Sequence, residues 1–181
     1  EQFGYLPQPV ANEMKQTTSD YLARTHGWSV EPSQIHPTGD VLQAYEIALR
    51  KLVTPGSPVV IPTPAYMPFL TLTTMVDHPV IEVPMVADDS GRPQMDLEAI
   101  ATHLEGEAEM VVLCNPHNPL GLVYTDAELR ALSEVVEKAG AVVFSDEIHA
   151  PLVFGTHRHI PYATVSEHAA EHSITAISAS K

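Results

Sequence analysis

Three short apolar runs in the second half of the chain each stop at a group of polar residues. They cover Met110–Cys114, 141–144 and 173–177, and valine and isoleucine recur in them. Runs of this kind are typical of strands, and strands that are separated by helical stretches form parallel sheets buried on both faces. The pattern predicts an α/β fold, a three-layer αβα domain with a mostly parallel sheet.

The same kind of pattern predicts the remaining elements. Apolar positions three and four apart indicate helices, while glycine, proline and capping residues mark where elements end. Thr125 and Glu128 form a capping-box pattern that begins one helix, and Gly140 ends it. Helices are predicted at about 9–25, 40–53, 66–76, 96–104 and 126–139, further strands at 59–62 and 79–84, and a turn or hairpin tip at 88–92.

Polar side chains follow each of the three apolar runs. Asn118 comes after the first run, Asp146 after the second and Lys181 after the third. Parallel strands end at a common edge of the sheet, and ligands of such sheets bind beyond that edge. We therefore expect these three side chains to converge on one crevice.

The three residues, in this order, resemble the aspartate-aminotransferase superfamily (fold type I) of pyridoxal-phosphate enzymes. Asp146 follows Asn118 by 28 positions, and Lys181 follows Asp146 by 35. The resemblance implies pyridoxal 5′-phosphate as the cofactor. Lys181 would form a Schiff base with its aldehyde and move the Cα proton of the substrate. Asp146 would keep the pyridine nitrogen protonated, and Asn118 would donate a hydrogen bond to the phenolate oxygen.

The resemblance also implies a phosphate-binding loop at Gly39, Asp40 and Val41. Glycine permits a tight turn there, and the first amides of the following helix point outward. Asp40 departs from the small or apolar residue that is common at this place. We expect it to cap the helix with its carboxylate turned away from the phosphate. An ordinary capped helix start is the alternative.

Two further positions match cofactor contacts of the superfamily. Tyr66 corresponds to the aromatic residue that stacks on the cofactor ring, with core packing as the alternative. Ser178, three positions before Lys181, corresponds to a hydroxyl that binds the phosphate, and Ser180 is a second possibility.

Other residues resemble one branch of the superfamily, the cystathionine β-lyase-like branch (the MalY/PatB type). Tyr5 in the Phe-Gly-Tyr entry matches a tyrosine that reaches the cofactor phosphate of the neighbouring subunit; a packed aromatic is the alternative. His149 stands three positions after Asp146, where many aminotransferases carry a tyrosine that bonds the phenolate. We expect His149 to make that contact or to tune the site, and a structurally bonded histidine is the alternative.

Positions near these residues carry weaker information. Residues 154–162 also resemble the cystathionine β-lyase-like branch and are interpreted as a loop near the entrance of the site, without an assigned role. Glu147 is expected to be structural. Leu120 replaces the threonine of the common Asn-Pro-Thr-Gly sequence, which changes the contacts beside the substrate.

The resemblance implies a carbon–sulfur β-lyase that releases thiol, pyruvate and ammonia from L-cystathionine or cysteine S-conjugates. A class I/II aminotransferase with the same residues is the alternative, and a non-catalytic regulator of the same fold is a lesser one. A homodimer is expected because the family shares its active sites between subunits. Residues 1–181 are interpreted as an incomplete large domain, so that the small carboxy-terminal domain and its carboxylate-binding arginine lie outside this chain.

Composition limits the classes of binding partner and the cellular compartment that we expect for the protein. The chain has 181 residues, 44% of them hydrophobic, which suits one domain with a sizeable core. Its net charge of −14 argues against nucleic-acid and anionic-membrane partners, and no apolar run reaches the length of about 20 residues that a membrane span needs. The single cysteine, Cys114, fits a reducing cytoplasm and is expected to be a buried, inert thiol. The ten histidines form no helical pair with a carboxylate, so no metal site is expected.

Overall fold

The computed structural model describes residues 6–181, which form two compact units that divide between Gly39 and Asp40. The first unit contains helix α1 (Gln8–His26) and a 3-10 helix (Pro32–Gln34). Helix α1 confirms the helix predicted at 9–25. It ends at Gly27, which adopts the left-handed conformation with φ of 67° and donates its N–H to the backbone of the last helical turn.

The second unit is built around a parallel sheet. The strands are β1 (Val59–Thr63), β2 (Val80–Pro84), β3 (Val86–Ala87), β4 (Pro93–Gln94), β5 (Met110–Cys114), β6 (Val142–Asp146) and β7 (Ser173–Ala176). Five of them form one sheet in the order β2-β1-β5-β6-β7, and every pair in it is parallel. Strands β3 and β4 form a small antiparallel hairpin, as the turn at 88–92 predicts. The predicted α/β class and mostly parallel sheet are confirmed.

Helices cover both faces of this sheet. They are α2 (Val41–Leu52), α3 (Met67–Met75), α4 (Leu97–Gly106), α5 (Asp126–Ala139) and α6 (Glu167–Glu171), with 3-10 helices at Ala150–Leu152 and Tyr162–Thr164. Side chains of a strand alternate between faces. Accordingly, Val111 and Leu113 pack in the cluster that includes residues of α4 and α5, whereas Met110 and Val112 pack in the cluster with residues of α2 and α3.

Strand β6 is longer than its apolar run predicts. It continues through Ser145 to Asp146, and Asp146 stands in register with Cys114 of β5. The Asn115 N–H donates to the Asp146 carbonyl at 2.9 Å, and the Glu147 N–H donates to the Ala176 carbonyl at 2.9 Å. Backbone pairing does not depend on side-chain polarity, so the ladder carries these polar residues to the carboxyl edge of the sheet.

The capping box at the start of α5 gives a stability prediction. The Thr125 hydroxyl accepts a hydrogen bond from the Glu128 N–H at 3.3 Å, and the Glu128 carboxylate accepts the Thr125 N–H at 2.7 Å. Thr125→Ala should lower the free energy of unfolding by about 1 kcal/mol because one helix-end amide loses its partner. Urea denaturation would measure the loss. Thr102→Ala is the matched control, because Thr102 is exposed inside α4 and should be nearly neutral.

The residues described, 6–181, include no helix that combines the length and the apolar character needed to cross a membrane.

Candidate active site

Asp146 ends β6 at the carboxyl edge of the sheet, beside the central strand β5. Its side chain is almost fully buried, with 3% of the residue exposed, and one carboxylate oxygen accepts the Ile148 N–H at 3.2 Å. Burial raises the pKa of Asp146 to about 6; the negative charge of Glu147 adds to this, while the Ile148 amide and the Lys181 ammonium act in the opposite direction. The carboxyl group is therefore a stronger proton acceptor than an exposed aspartate.

Lys181 and His149 share the environment of Asp146. The charge of Lys181 acts on both the Asp146 carboxyl and the His149 imidazole. The pKa of His149 is lowered chiefly by burial and then by Lys181, and a hydrogen bond with the Pro116 backbone opposes the shift. The Lys181 side chain itself is exposed. The end of β6, the turn after β5 and the last residue of the chain thus meet at one edge, as the sequence predicts for Asp146 and Lys181.

Asn118 lies in a tight turn directly after β5. Its N–H donates to the Cys114 sulfur at 3.3 Å, and the Cys114 thiol contacts the Pro116 carbonyl at 3.5 Å. Burial, and secondarily the Asp146 charge, raises the pKa of the Cys114 thiol to about 12. Cys114 is thus a buried, protonated thiol that orders the turn, in agreement with the expectation of an inert cysteine.

Tyr66 is the N-cap residue that precedes helix α3, and it is 38% exposed. The edge-to-face contact of its ring with Phe69 spans 5.6 Å between ring centres, and Phe69 belongs to an aromatic group with Tyr45 and Phe144. A cleft is lined by Ile61, Pro62, Ala65, Tyr66, Phe69, Val112, Leu113, Cys114, His117 and Tyr124. An exposed aromatic ring that is held by buried aromatic neighbours is suited to stacking on a planar ligand.

The remaining cofactor candidates are the residues at the start of α2 and the serine that precedes Lys181 by three positions. Asp40 caps α2, and its carboxylate accepts the Gln43 N–H at 2.7 Å, which is the orientation expected from the sequence. The phosphate-binding role of Gly39, Asp40 and Val41 stays a prediction. Ser178 donates to the Ser180 hydroxyl at 2.9 Å and accepts the Ser180 N–H at 3.1 Å.

Tyr5 lies outside the residues that the structure describes. Its proposed contact with a neighbouring subunit therefore stays a prediction.

Comparison with known proteins identifies the family. The model of the family described as aminotransferase class I and II matches residues 1–181. The chain belongs to this family.

The proteins that this chain resembles include some named as lyases and some named as aminotransferases. A cystathionine beta-lyase of Corynebacterium glutamicum is 34% identical over 100% of this chain and 46% of its own length. A structure of a putative PLP-dependent beta-cystathionase from Corynebacterium diphtheriae has a TM-score of 0.88 and 34% identity over 99% of this chain and 45% of that one. A structure of a PLP-bound putative aminotransferase from Clostridium difficile has a TM-score of 0.90 and 28% identity over 98% of this chain and 45% of that one. The chain thus spans about half the length of the relatives it matches.

A buried polar network, assigned no role in the site from the sequence, lies behind the end of β6. The sequence predicts a structural role for Glu147 and, for residues 154–162, a loop near the entrance of the site without an assigned role. The structure joins the two, because the Glu147 carboxylate contacts His159 and the Tyr162 N–H. The available signal is the spacing of Ser145, in β6, and Glu147, directly after β6, since residues two apart in an extended backbone lie on the same face.

The raised pKa of Asp146 predicts how the stability of the cofactor-free protein varies with pH. The folded pKa, about 6, lies above the ordinary value of 3.8, so the folded state binds more protons between these values and loses stability as the pH rises through them. Asp146→Asn removes this cost. At pH 7 the variant should exceed wild type in free energy of unfolding by about 3 kcal/mol.

Urea denaturation at several pH values would test this prediction. The advantage of Asp146→Asn should shrink towards pH 4, where the wild-type carboxyl is protonated in the folded state. An advantage that does not depend on pH would contradict the assignment of a raised pKa to Asp146.

Proposed function

We propose that the protein containing this chain is a pyridoxal-phosphate-dependent carbon–sulfur β-lyase that acts on L-cystathionine or related cysteine S-conjugates. With the uptake of one water molecule it releases a thiol, pyruvate and ammonia. The observation that carries the proposal is the buried Asp146 carboxyl at the sheet edge, within electrostatic reach of Lys181. Relatives named as cystathionine beta-lyase and beta-cystathionase support the lyase reaction.

The residues at the edge fit the cofactor chemically. Asp146 is buried, and its raised pKa makes it a strong acceptor for the proton of a pyridine nitrogen. Tyr66 offers an exposed ring for stacking, and Asn118 offers an amide donor for the phenolate oxygen. Lys181 offers an exposed primary amine for the aldehyde. When bound, pyridoxal phosphate supplies a protonated ring that accepts electrons from the substrate Cα.

Each of these cofactor-site residues then has a defined task. Lys181 removes the Cα proton of the substrate, which allows the thiolate on Cβ to leave. Asp146 holds a proton at the pyridine nitrogen throughout, because its burial favours sharing that proton over solvation by water. Tyr66 and Asn118 fix the orientation of the ring, and His149 is a second hydrogen-bonding group beside it.

An aminotransferase is the second candidate, and a specific observation favours it. The structure of the putative aminotransferase from Clostridium difficile has a TM-score of 0.90 with this chain. The same Lys181, Asp146 and Asn118 serve both reactions. The difference is that a transaminase keeps the amino group and passes it to a 2-oxo acid, whereas the lyase releases ammonia.

Two further properties complete the proposal. We infer a homodimer in which Tyr5 of one subunit reaches the cofactor phosphate of the other, and a cytoplasmic location. The single buried cysteine is compatible with a reducing compartment. Gel filtration of the complete protein should give a dimer, and a monomer at all concentrations would contradict the role of Tyr5 in the neighbouring site.

The deciding experiment uses the complete protein, pyridoxal phosphate and L-cystathionine without any 2-oxo acid. Sustained release of pyruvate and free thiol over many turnovers supports the lyase. No release under these conditions, but amino transfer once a 2-oxo acid is added, would assign the protein as an aminotransferase. Neither reaction, in protein that binds the cofactor, would favour a regulatory role.

A further inference from the structure

A buried carboxylate lies directly behind Asp146, on the opposite face of β6. Glu147 is 1% exposed, and its backbone N–H is bonded to the Ala176 carbonyl of β7. Because consecutive residues at a strand end point to opposite faces, Asp146 follows Phe144 on one face, and Glu147 follows Ser145 on the other. The two carboxyl groups therefore belong to one short segment but to different environments.

Three groups at hydrogen-bonding distance surround the Glu147 carboxylate. The Ser145 hydroxyl donates to Oε1 at 2.8 Å, and the Tyr162 N–H donates to the same oxygen at 2.8 Å. His159 Nε2 lies 2.7 Å from Oε2. The His159 and Glu147 side chains are both almost completely removed from solvent. Both carboxylate oxygens thus have partners, and the two partners of Oε1 are donors.

Further hydrogen bonds connect residues 159–162 to the sheet. The Asn115 side-chain amide donates to the Ile160 carbonyl at 3.0 Å, and the Tyr162 hydroxyl lies 2.8 Å from His172 Nε2. Residues 159–162 are thus bonded to the ends of β5 and β6 and to the start of β7. The titratable groups around Glu147 are His159 in direct contact, Asp146 on the adjoining residue, and Tyr162 with His172 behind it.

From this geometry we propose that Glu147 is a positioning and charge-tuning residue for the cofactor site. Its buried negative charge, held in place by Ser145, His159 and the Tyr162 amide, strengthens the hold of Asp146 on the proton of the cofactor nitrogen. Support comes from the pKa of Asp146, which burial raises most and the Glu147 charge raises further. Glu147 itself touches neither substrate nor cofactor. The proposal rests on the proposed function, in that Asp146 must be the partner of the pyridine nitrogen.

The test is a pH titration of the visible absorption of bound pyridoxal phosphate in the complete holoenzyme. Glu147→Gln keeps the shape and both acceptor contacts at Oε1 but removes the charge. The apparent pKa of the chromophore should fall by about 0.5–1 pH unit, because a nearby negative charge no longer favours the protonated form. A variant that titrates as wild type while losing thermal stability would overturn the proposal and leave Glu147 purely structural.

A matched control lies at the other end of the sheet. Glu109 precedes β5, and its carboxylate accepts the Thr54 N–H at 2.7 Å and the Ser57 hydroxyl at 3.0 Å. Since β5 is five residues long, Glu109 is roughly 17 Å from the carboxyl edge. Glu109→Gln should leave the titration unchanged, and an equal shift in this variant would also overturn a specific role for Glu147.

His159→Gln keeps the proposal falsifiable if Glu147→Gln does not fold. Its amide still offers a donor to Glu147 but carries no positive charge, so the chromophore pKa must equal or exceed the wild-type value. A chromophore pKa that is lower in His159→Gln than in wild type contradicts the proposal. Wild-type protein that shows no cofactor absorption at all would instead refute the proposed function, so the two failures are distinguishable.

Discussion

Lys181→Ala should abolish the reaction, with kcat/KM reduced at least about 10³-fold. Lys181 is an exposed amine whose charge reaches Asp146 and His149. Removing it takes away both the covalent anchor for the cofactor and the base for the Cα proton. The measurement is the rate of pyruvate and thiol release from L-cystathionine by the complete protein.

Reductive trapping gives an independent readout of the same change. Borohydride treatment followed by peptide mass spectrometry should find the cofactor on Lys181 in wild type and on no lysine in the variant. Lys138→Ala is the matched control. Lys138 is an exposed lysine in α5, and its ammonium pairs with the Glu105 carboxylate of α4 at 2.5 Å. Full activity of Lys181→Ala would refute both catalytic proposals together.

Asp146→Asn should reduce turnover by about 10²–10³-fold while leaving the fold intact. The neutral amide cannot balance the positive charge of a protonated pyridine nitrogen, so the ring loses much of its capacity to accept electrons. The same substitution should stabilise the cofactor-free protein at pH 7, as derived above from the raised pKa of Asp146. Loss of activity with a gain in stability is the combination that distinguishes a functional carboxylate from a structural one.

Steady-state kinetics and urea denaturation on the same preparations would test this combination. Asp126→Asn is the control, since Asp126 forms a surface ion pair with Arg130 at 2.6 Å and should affect neither measurement strongly. A variant Asp146→Asn that is both inactive and unstable would indicate that Asp146 supports the fold more than the chemistry.

The elements of the sheet could be predicted because their signals are local. The apolar run Met110–Cys114 coincides with β5, and the capping box at Thr125 marks the start of α5. Convergence of Asp146 and Lys181 followed from topology alone, since parallel strands end at one edge. These inferences need no knowledge of side-chain contacts, and the structure agrees with them.

The network around Glu147 could not be predicted because its partners are distant in sequence. His159 and the Tyr162 amide reach Glu147 only after the chain has turned back, and no periodicity marks that return. Short elements were missed for a related reason. Helix α6 has five residues, too few for a helical pattern, although Ser166 caps it by accepting the Ala169 N–H at 2.8 Å.

The burial of Asp146 also bears on how long the protein survives in a cell. Before the cofactor arrives, an ionised carboxylate lies in an apolar setting at neutral pH and lowers the margin of stability. A ligand that binds only the folded state raises that margin with the logarithm of its concentration over its dissociation constant. Newly made chains should therefore be degraded faster when vitamin B6 is scarce. The supply of this vitamin should then affect the amount of the protein in the cell as well as its activity.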